Sequence, residues 1–257
     1  MRIREILMHG AQPAQWPPEG KTSSLPAFLE GKNYAFAPGR RRGELQGSEI
    51  YFPAMLFEPS NERRAREREM RAAGRLPAGQ SLTLKWPVLH EGSVPQFDPA
   101  TWDFRVFGLV EQPVRLSWQE FSNLPQSEVL ADMHCVTRWS RFDNHWGGVL
   151  ATELISRVKL RPQARHAMVH AEQGYTSNLP LEDFLRPTTI FALRHDGEPL
   201  AGEHGYPVRL VVPQLYAWKS VKWVRGIELL DQETAGFWEQ NGYHIYGDPF
   251  KEQRYSG

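Results

Sequence analysis

Cysteine is almost missing from this chain: among 257 residues there is one, Cys135. That excludes an internal disulfide, a c-type haem attachment and any iron–sulfur or four-cysteine zinc site built within the chain. If electrons pass through the protein, a separate electron-transfer protein must bring or remove them. Net charge is missing too, since thirty Lys and Arg balance thirty Asp and Glu. No global field therefore draws in nucleic acid or an anionic membrane. No apolar run approaches the roughly 18–20 residues of a membrane-spanning helix. Neither residues 1–10 nor the basic cluster 40–42 leads into the apolar core of an export signal, so the expected compartment is the cytoplasm. The loops GxGxxG and GxxxxGK[ST] are also absent, which argues against the nucleotide folds built on them.

What is present supports a sizeable core, with hydrophobic residues making up 40% of the chain. Residues 1–47, rich in Pro, Gly, Gln and Ser, read as an extended or partly disordered arm. Residues 48–257 read as one domain. The apolar run 50–57 is broken by Pro53 and cannot be a central strand. Asn61 caps a charged helix ending at Gly74, with Glu62 facing Arg66 and Glu67 facing Arg71 one turn on. Residues 82–89 read as a strand broken at Pro87, and Trp102, Phe104 and Val106 alternate as in a half-buried strand. Ser117 and Glu120 have capping-box spacing. Thr152 opens another short helix, residues 166–171 and 208–212 read as strands, and Asp196-Gly197 turns a hairpin. A further strand lies within 217–230, followed by an aromatic tail. Many short strands with a few short helices make the class α+β.

Two stretches carry chemistry. Cys135 ends an apolar run and is followed by Arg138 and Arg141, cations that favour thiolate over thiol. Between residues 204 and 227 the chain supplies His204, Arg209, Lys219, Lys222 and Arg225 without an acid. With Ser220 and nearby backbone N–H groups this forms an anion site, and it reads equally well as a solvated basic edge that blunts a sheet. His134, His145, His166 and His170 raise the question of zinc. His134 and Cys135, however, are neighbours and point to opposite faces of a strand.

Three segments together resemble the sulfite-oxidase superfamily of molybdopterin-dependent oxidoreductases. CVTRWS, residues 135–140, is similar to its metal-cysteine segment, in the form of the bacterial protein-methionine-sulfoxide reductase branch. DGEPLAGEHGYPVRLVVP, residues 196–213, and WKSVKWVRGIEL, residues 218–229, are similar to the two segments that follow it. The resemblance implies the molybdenum-domain fold of that superfamily, with mixed short-strand sheets. It also implies a molybdenum–molybdopterin cofactor, a pyranopterin without nucleotide, whose metal is ligated by Cys135. His204, Arg209, Ser220, Val221 and Lys222, with Lys219 adjacent, would line the pterin phosphate, and His90 its other end. Arg138 would attract the substrate. The implied activity is oxygen-atom transfer on a small sulfur- or nitrogen-centred molecule, in either direction, by a monomer served by a separate electron-transfer protein. The match departs at Leu193, where sulfite oxidases carry a tyrosine near the metal. A second reading keeps the fold as a non-catalytic module for an anionic or phosphoryl ligand. The intact CVTRWS argues against it, because a pure binder has no need of that thiolate.

Overall fold

The computed structural model describes residues 60–256, and the arm expected over 1–47 and the run 50–57 lie outside the described residues. Helix α1, Ser60–Ala72, is charged over most of its surface, and of residues 61–72 buries Met70 alone. Met70 packs on Leu76, Leu82 and Phe142. Gly74, with φ 69°, lets the chain turn out of the helix. Glu67 then accepts the Leu82 N–H at 2.7 Å, and Arg75 pairs with Asp132 and Asp143 at 2.7 and 2.5 Å. Polar contacts thus tie the helix region to the sheet beside it.

In chain order the early strands are β1, Ser81–Leu82; β2, Asp103–Gly108; β3, Val114–Ser117; β4, Ser127–His134; β5, Trp139–Leu150; and β6, His166–Ala171. They are followed by β7, Thr176–Pro180; β8, Ile190–His195; β9, Glu198–Pro199; β10, Arg209–Val211; and β11, Val224–Leu230. Short helices α2, Trp118–Ser122; α3, Ala151–Ile155; α4, Leu181–Phe184; and α5, Phe237–Gln240 lie between or after them. The first sheet runs β1-β5-β8-β10, with β4 also on β5 and β9 on β8; all pairs are antiparallel except β1 with β5. The second runs β3-β2-β11-β6-β7, antiparallel except for β2 with β11.

Both sheets contribute to one core. Phe104 and Val106 of β2 and Ile227 and Leu229 of β11 meet Val149 of β5, Phe191 of β8 and Leu210 of β10. Phe104 and Phe191 touch edge to face, with centroids 5.2 Å apart. Trp102, Phe104 and Val106 are all buried, as their alternation requires. Ser117 caps α2 with both reciprocal hydrogen bonds of the capping box. The α+β class and the Asp196-Gly197 hairpin between β8 and β9 are likewise as the sequence indicates.

The strand expected over 82–89 is a correction: pairing stops at Leu82. The Thr83 hydroxyl accepts the Lys85 N–H at 3.2 Å, closing a local turn in place of a ladder bond. Trp86, freed from the sheet, turns toward the site described below.

Strand β5 stays close to β8 through Gly147 and Gly148, where the register shifts. A methyl group on Gly148 would collide with the Phe191 carbonyl oxygen and the Ala192 Cα. Gly148→Ala is expected to lower stability by about 3 kcal/mol or more, as overpacking against backbone does. An unchanged urea midpoint for this variant would show that the two strands can separate without cost.

Candidate functional site

Cys135 begins the four-residue turn from β4 into β5. Its N–H donates to the Trp139 carbonyl at 2.9 Å, and its carbonyl accepts the Arg138 N–H at 3.0 Å, while Arg138 adopts φ 73°. Two distant residues brace the turn: Gln80 donates to the Cys135 carbonyl at 3.0 Å and Arg254 to the Val136 carbonyl at 2.7 Å. The thiol is buried, which pushes its pKa up, but the Thr137 hydroxyl donates to Sγ at 3.1 Å and opposes that shift. Such a sulfur is slow to ionise alone and ready to do so once a cation sits on it. His134 faces the other side, with its Nδ1 2.8 Å from the Ser140 hydroxyl. Among the described residues no cluster of three His, Cys, Asp or Glu could hold a metal.

A cavity of about 620 Å³ has Cys135, His90, Arg209, Ser220, Val221 and Lys222 in its lining. Segments far apart in the sequence meet here: strand β10, the turn after it and the loop before β2 all converge on the β4–β5 turn. Arg209 is 2% exposed and no carboxylate pairs with it among the described residues; it donates to the carbonyls of His204 and Ser220, both at 3.0 Å. Burial alone brings it down to about 9. Lys222 donates to the carbonyls of Leu89 and Glu203 at 2.8 and 2.6 Å. Burial first, and then the Arg209 charge, lower it to about 7. The Ser220 oxygen accepts the Val212 N–H at 3.0 Å, so its hydrogen remains to be donated. His90, exposed, lies edge-on to Trp223 and its Nδ1 is 3.1 Å from the Gly92 carbonyl.

His204 stands one layer back. It is not on the cavity wall, but its ring stacks on Trp86, which is, at 3.7 Å and 5°. Burial, followed by the charges of Lys222 and Arg209, lowers it to about 4. Three other placements are corrections. The Arg138 side chain is outside the cavity, beside Gly79, Glu252 and Arg254, because the left-handed turn directs it away. Arg141 is likewise engaged elsewhere, with Asn144 and with Asp196 at 2.7 Å. Lys219 is 1% exposed and points into the protein, where it binds the Asn178 side chain, the Ile245 carbonyl and Glu239. It supports the site from behind and does not line it.

The sequence reading missed the aromatic part of the lining. Trp86, Tyr175, Trp218, Phe237, Trp238 and Tyr243 all face the cavity. Tyr216 and Trp218 stack at 5.2 Å, and Trp238 and Tyr243 at 4.9 Å, in the cluster that packs on Cys135. The signal available was the density of aromatics after residue 236.

These residues suit a large anionic cofactor. A buried guanidinium satisfied by carbonyl oxygens but by no acid, with a second cation beside it, is a cost that a bound phosphate offsets. Its Nε and the His204 Nδ1 are buried without a protein partner. The lone thiol, once ionised, is a soft donor of the kind that suits a cofactor bringing further sulfurs of its own.

Residues 91–238 match the family described as oxidoreductase molybdopterin binding domain. The chain is 46% identical over 190 residues to the uncharacterized oxidoreductase YuiH of Bacillus subtilis (strain 168), covering 74% of this chain and 96% of that protein. It is 31% identical over 169 residues to the protein-methionine-sulfoxide reductase catalytic subunit MsrP of Gluconobacter oxydans (strain 621H), covering 59% of this chain but 54% of that one. The structure of the sulfane dehydrogenase SoxCD from Paracoccus pantotrophus shares the fold, with TM-score 0.51 and 22% identity, over 56% of this chain and 41% of that chain. The cavity, its thiol and the family match over more than half of the sequence lead to one assignment: this chain belongs to the molybdopterin-binding oxidoreductases of the sulfite-oxidase superfamily, and its cofactor is molybdenum–molybdopterin.

Proposed function

We propose that the chain transfers an oxygen atom between water and a small sulfur- or nitrogen-centred substrate, with Cys135 as the protein ligand of molybdenum. The observation that carries this reading is that one cavity is lined both by the only thiol and by two cations that form no ion pair with an acid among the described residues. Arg209, Ser220, Val221 and Lys222 would hold the pterin phosphate side, with His204 behind them and His90 at the rim. When bound, the cofactor supplies the two-electron oxygen-atom exchange. For a thioether the balance is R2S + H2O → R2S=O + 2H⁺ + 2e⁻, and the reverse reaction consumes the same electrons. With one cysteine the chain builds no iron–sulfur relay, so a separate electron-carrier protein exchanges those electrons. The similarity to a protein-methionine-sulfoxide reductase catalytic subunit supports sulfur chemistry.

The protein's own part is to orient and to exclude. The turn at 135–138 fixes Sγ, Thr137 stabilises its ionised form, and the aromatic lining keeps water from the reacting centre. The alternative reading, a non-catalytic phosphoryl-binding module, predicts pterin-free protein and no metal.

Protein made in a molybdate-replete host is expected to contain about one molybdenum and one pterin per chain, measured by elemental and fluorescence analysis. Cys135→Ser should keep the fold and the pterin, alter the metal spectrum, and lose at least about 100-fold in turnover, more than the loss of an outer-shell partner costs. A fully active Cys135→Ser enzyme would remove Cys135 as the ligand.

The cationic lining also sets a pH dependence. Before an anion binds, burial and the Arg209 charge hold Lys222 down to about 7; a bound anion beside it would raise that value, so binding takes up a proton. Cofactor-free protein should therefore bind sulfate, whose charge is constant in this range, about 10-fold more tightly at pH 6 than at pH 8. Calorimetry showing pH-independent affinity would mean that Lys222 does not face the anion.

A further inference from the structure

Trp86 stands where the rings of the site meet its buried cation. Its indole lies flat on the His204 imidazole at 3.7 Å and 5°, and it also meets the His195 ring at 4.2 Å and 44°. Toward Trp146 it is edge-on, with centroids 5.3 Å apart. The Arg209 guanidinium lies over both indoles, 5.2 Å from Trp86 and 5.5 Å from Trp146. These two walls differ in origin. Trp146 belongs to β5 and is fully buried, whereas Trp86 comes from the loop after β1, is half-buried and faces the cavity.

Contacts at its edges hold this loop in place. Lys222 donates to the Leu89 carbonyl at 2.8 Å, and Gln173 donates to the Ser93 carbonyl and hydroxyl at 2.8 and 3.1 Å. The His195 ring is fixed as well, with its Nε2 2.9 Å from Arg141 and 3.1 Å from Asn144. Burial pushes both imidazoles down from the usual histidine value, so the rings against Trp86 are neutral at pH 7. The other charged groups of the lining are engaged or exposed: Glu172 accepts from Arg225 at 2.5 Å, Lys222 reaches two carbonyls, and His90 and Glu91 are exposed.

A guanidinium donates hydrogen bonds in its own plane and packs against rings through its faces. The carbonyls of His204 and Ser220 take two of the Arg209 donors, and its Nε–H is buried without a partner among the described residues. An indole against the group leaves that donor open while limiting how the plane can turn. We infer that Trp86 is a positioning residue of the anion site: packed on His204 and His195, its flat face fixes the plane of the Arg209 guanidinium so that an unpaired N–H is ready for the anion. A plane left free would have to be ordered by the anion itself, at a cost in affinity. This role acts through Arg209 and is independent of oxygen-atom transfer; it rests on Arg209 and Lys222 binding an anion.

The test is sulfate calorimetry at pH 7 on full-length, cofactor-free protein, with a series of side chains at position 86. Trp86→Phe, which keeps a flat face, is expected to bind sulfate within about 3-fold of the wild type, and Trp86→Leu, which keeps an apolar wall but no ring, to lose about 10-fold. In an Arg209→Lys background, where the ammonium has no plane to fix, Trp86→Leu should cost less than about 2-fold. Thermal midpoints establish that each protein is folded before titration, and if Trp86→Leu does not fold, Trp86→Met makes the same comparison with a longer chain. Equal affinity in the Leu and Phe proteins, or an equal loss in both backgrounds, would reduce Trp86 to a wall and overturn the inference. Wild-type protein that binds no sulfate would overturn the anion site itself, and this role with it.

Discussion

A positive charge sealed inside the protein, with no acid among the described residues to answer it, is the constraint from which much of this structure follows. Arg209 sits in β10 with backbone carbonyls as its partners and the indole rings of Trp86 and Trp146 at 5.2 and 5.5 Å. Carbonyl dipoles and ring faces soften the desolvation of a guanidinium but do not cancel it. The fold has to spend stability elsewhere, in the Phe104–Phe191 core, to keep this group in place. Under the proposed function a cofactor phosphate would turn that liability into binding energy, which would account for a charge left open.

Lys219 shows the opposite solution one strand-turn later. It is as deeply buried, but Glu239 and three further oxygens surround it, so its charge is neutralised and becomes a fastener. Burial lowers its pKa while Glu239 pulls the other way. Two cations ten residues apart thus divide the labour: one is left for a ligand and the other ties the tail to the domain.

The readable parts of the sequence were those whose physics is local. The Ser117–Glu120 box, the Asp196-Gly197 turn and the alternation of Trp102, Phe104 and Val106 each involve a few neighbours, and each is present in the structure. The gathering of Cys135 with Arg209, Ser220 and Lys222 was legible through motif resemblance, since no periodicity relates a β4–β5 turn to β10. Arg138 was misplaced because counting from a cysteine gives distance along the chain, whereas a left-handed turn decides direction. Lys219 was misplaced for a related reason: its partners lie at 178, 239 and 245, and composition near residue 219 holds no trace of them. Trp86 went unnoticed because an apolar run with a proline looks like a broken strand, whichever wall its indole covers.

The brace on the cysteine turn has a temporal meaning. Gln80 holds one carbonyl of that turn from early in the described chain and Arg254 holds the next from its far end, 118 residues away from Val136. During synthesis the turn therefore gains its second support only once Arg254 has emerged, long after the thiol itself. Under the proposed function, ligation of a metal by Cys135 would then follow the closing of this turn and not guide it.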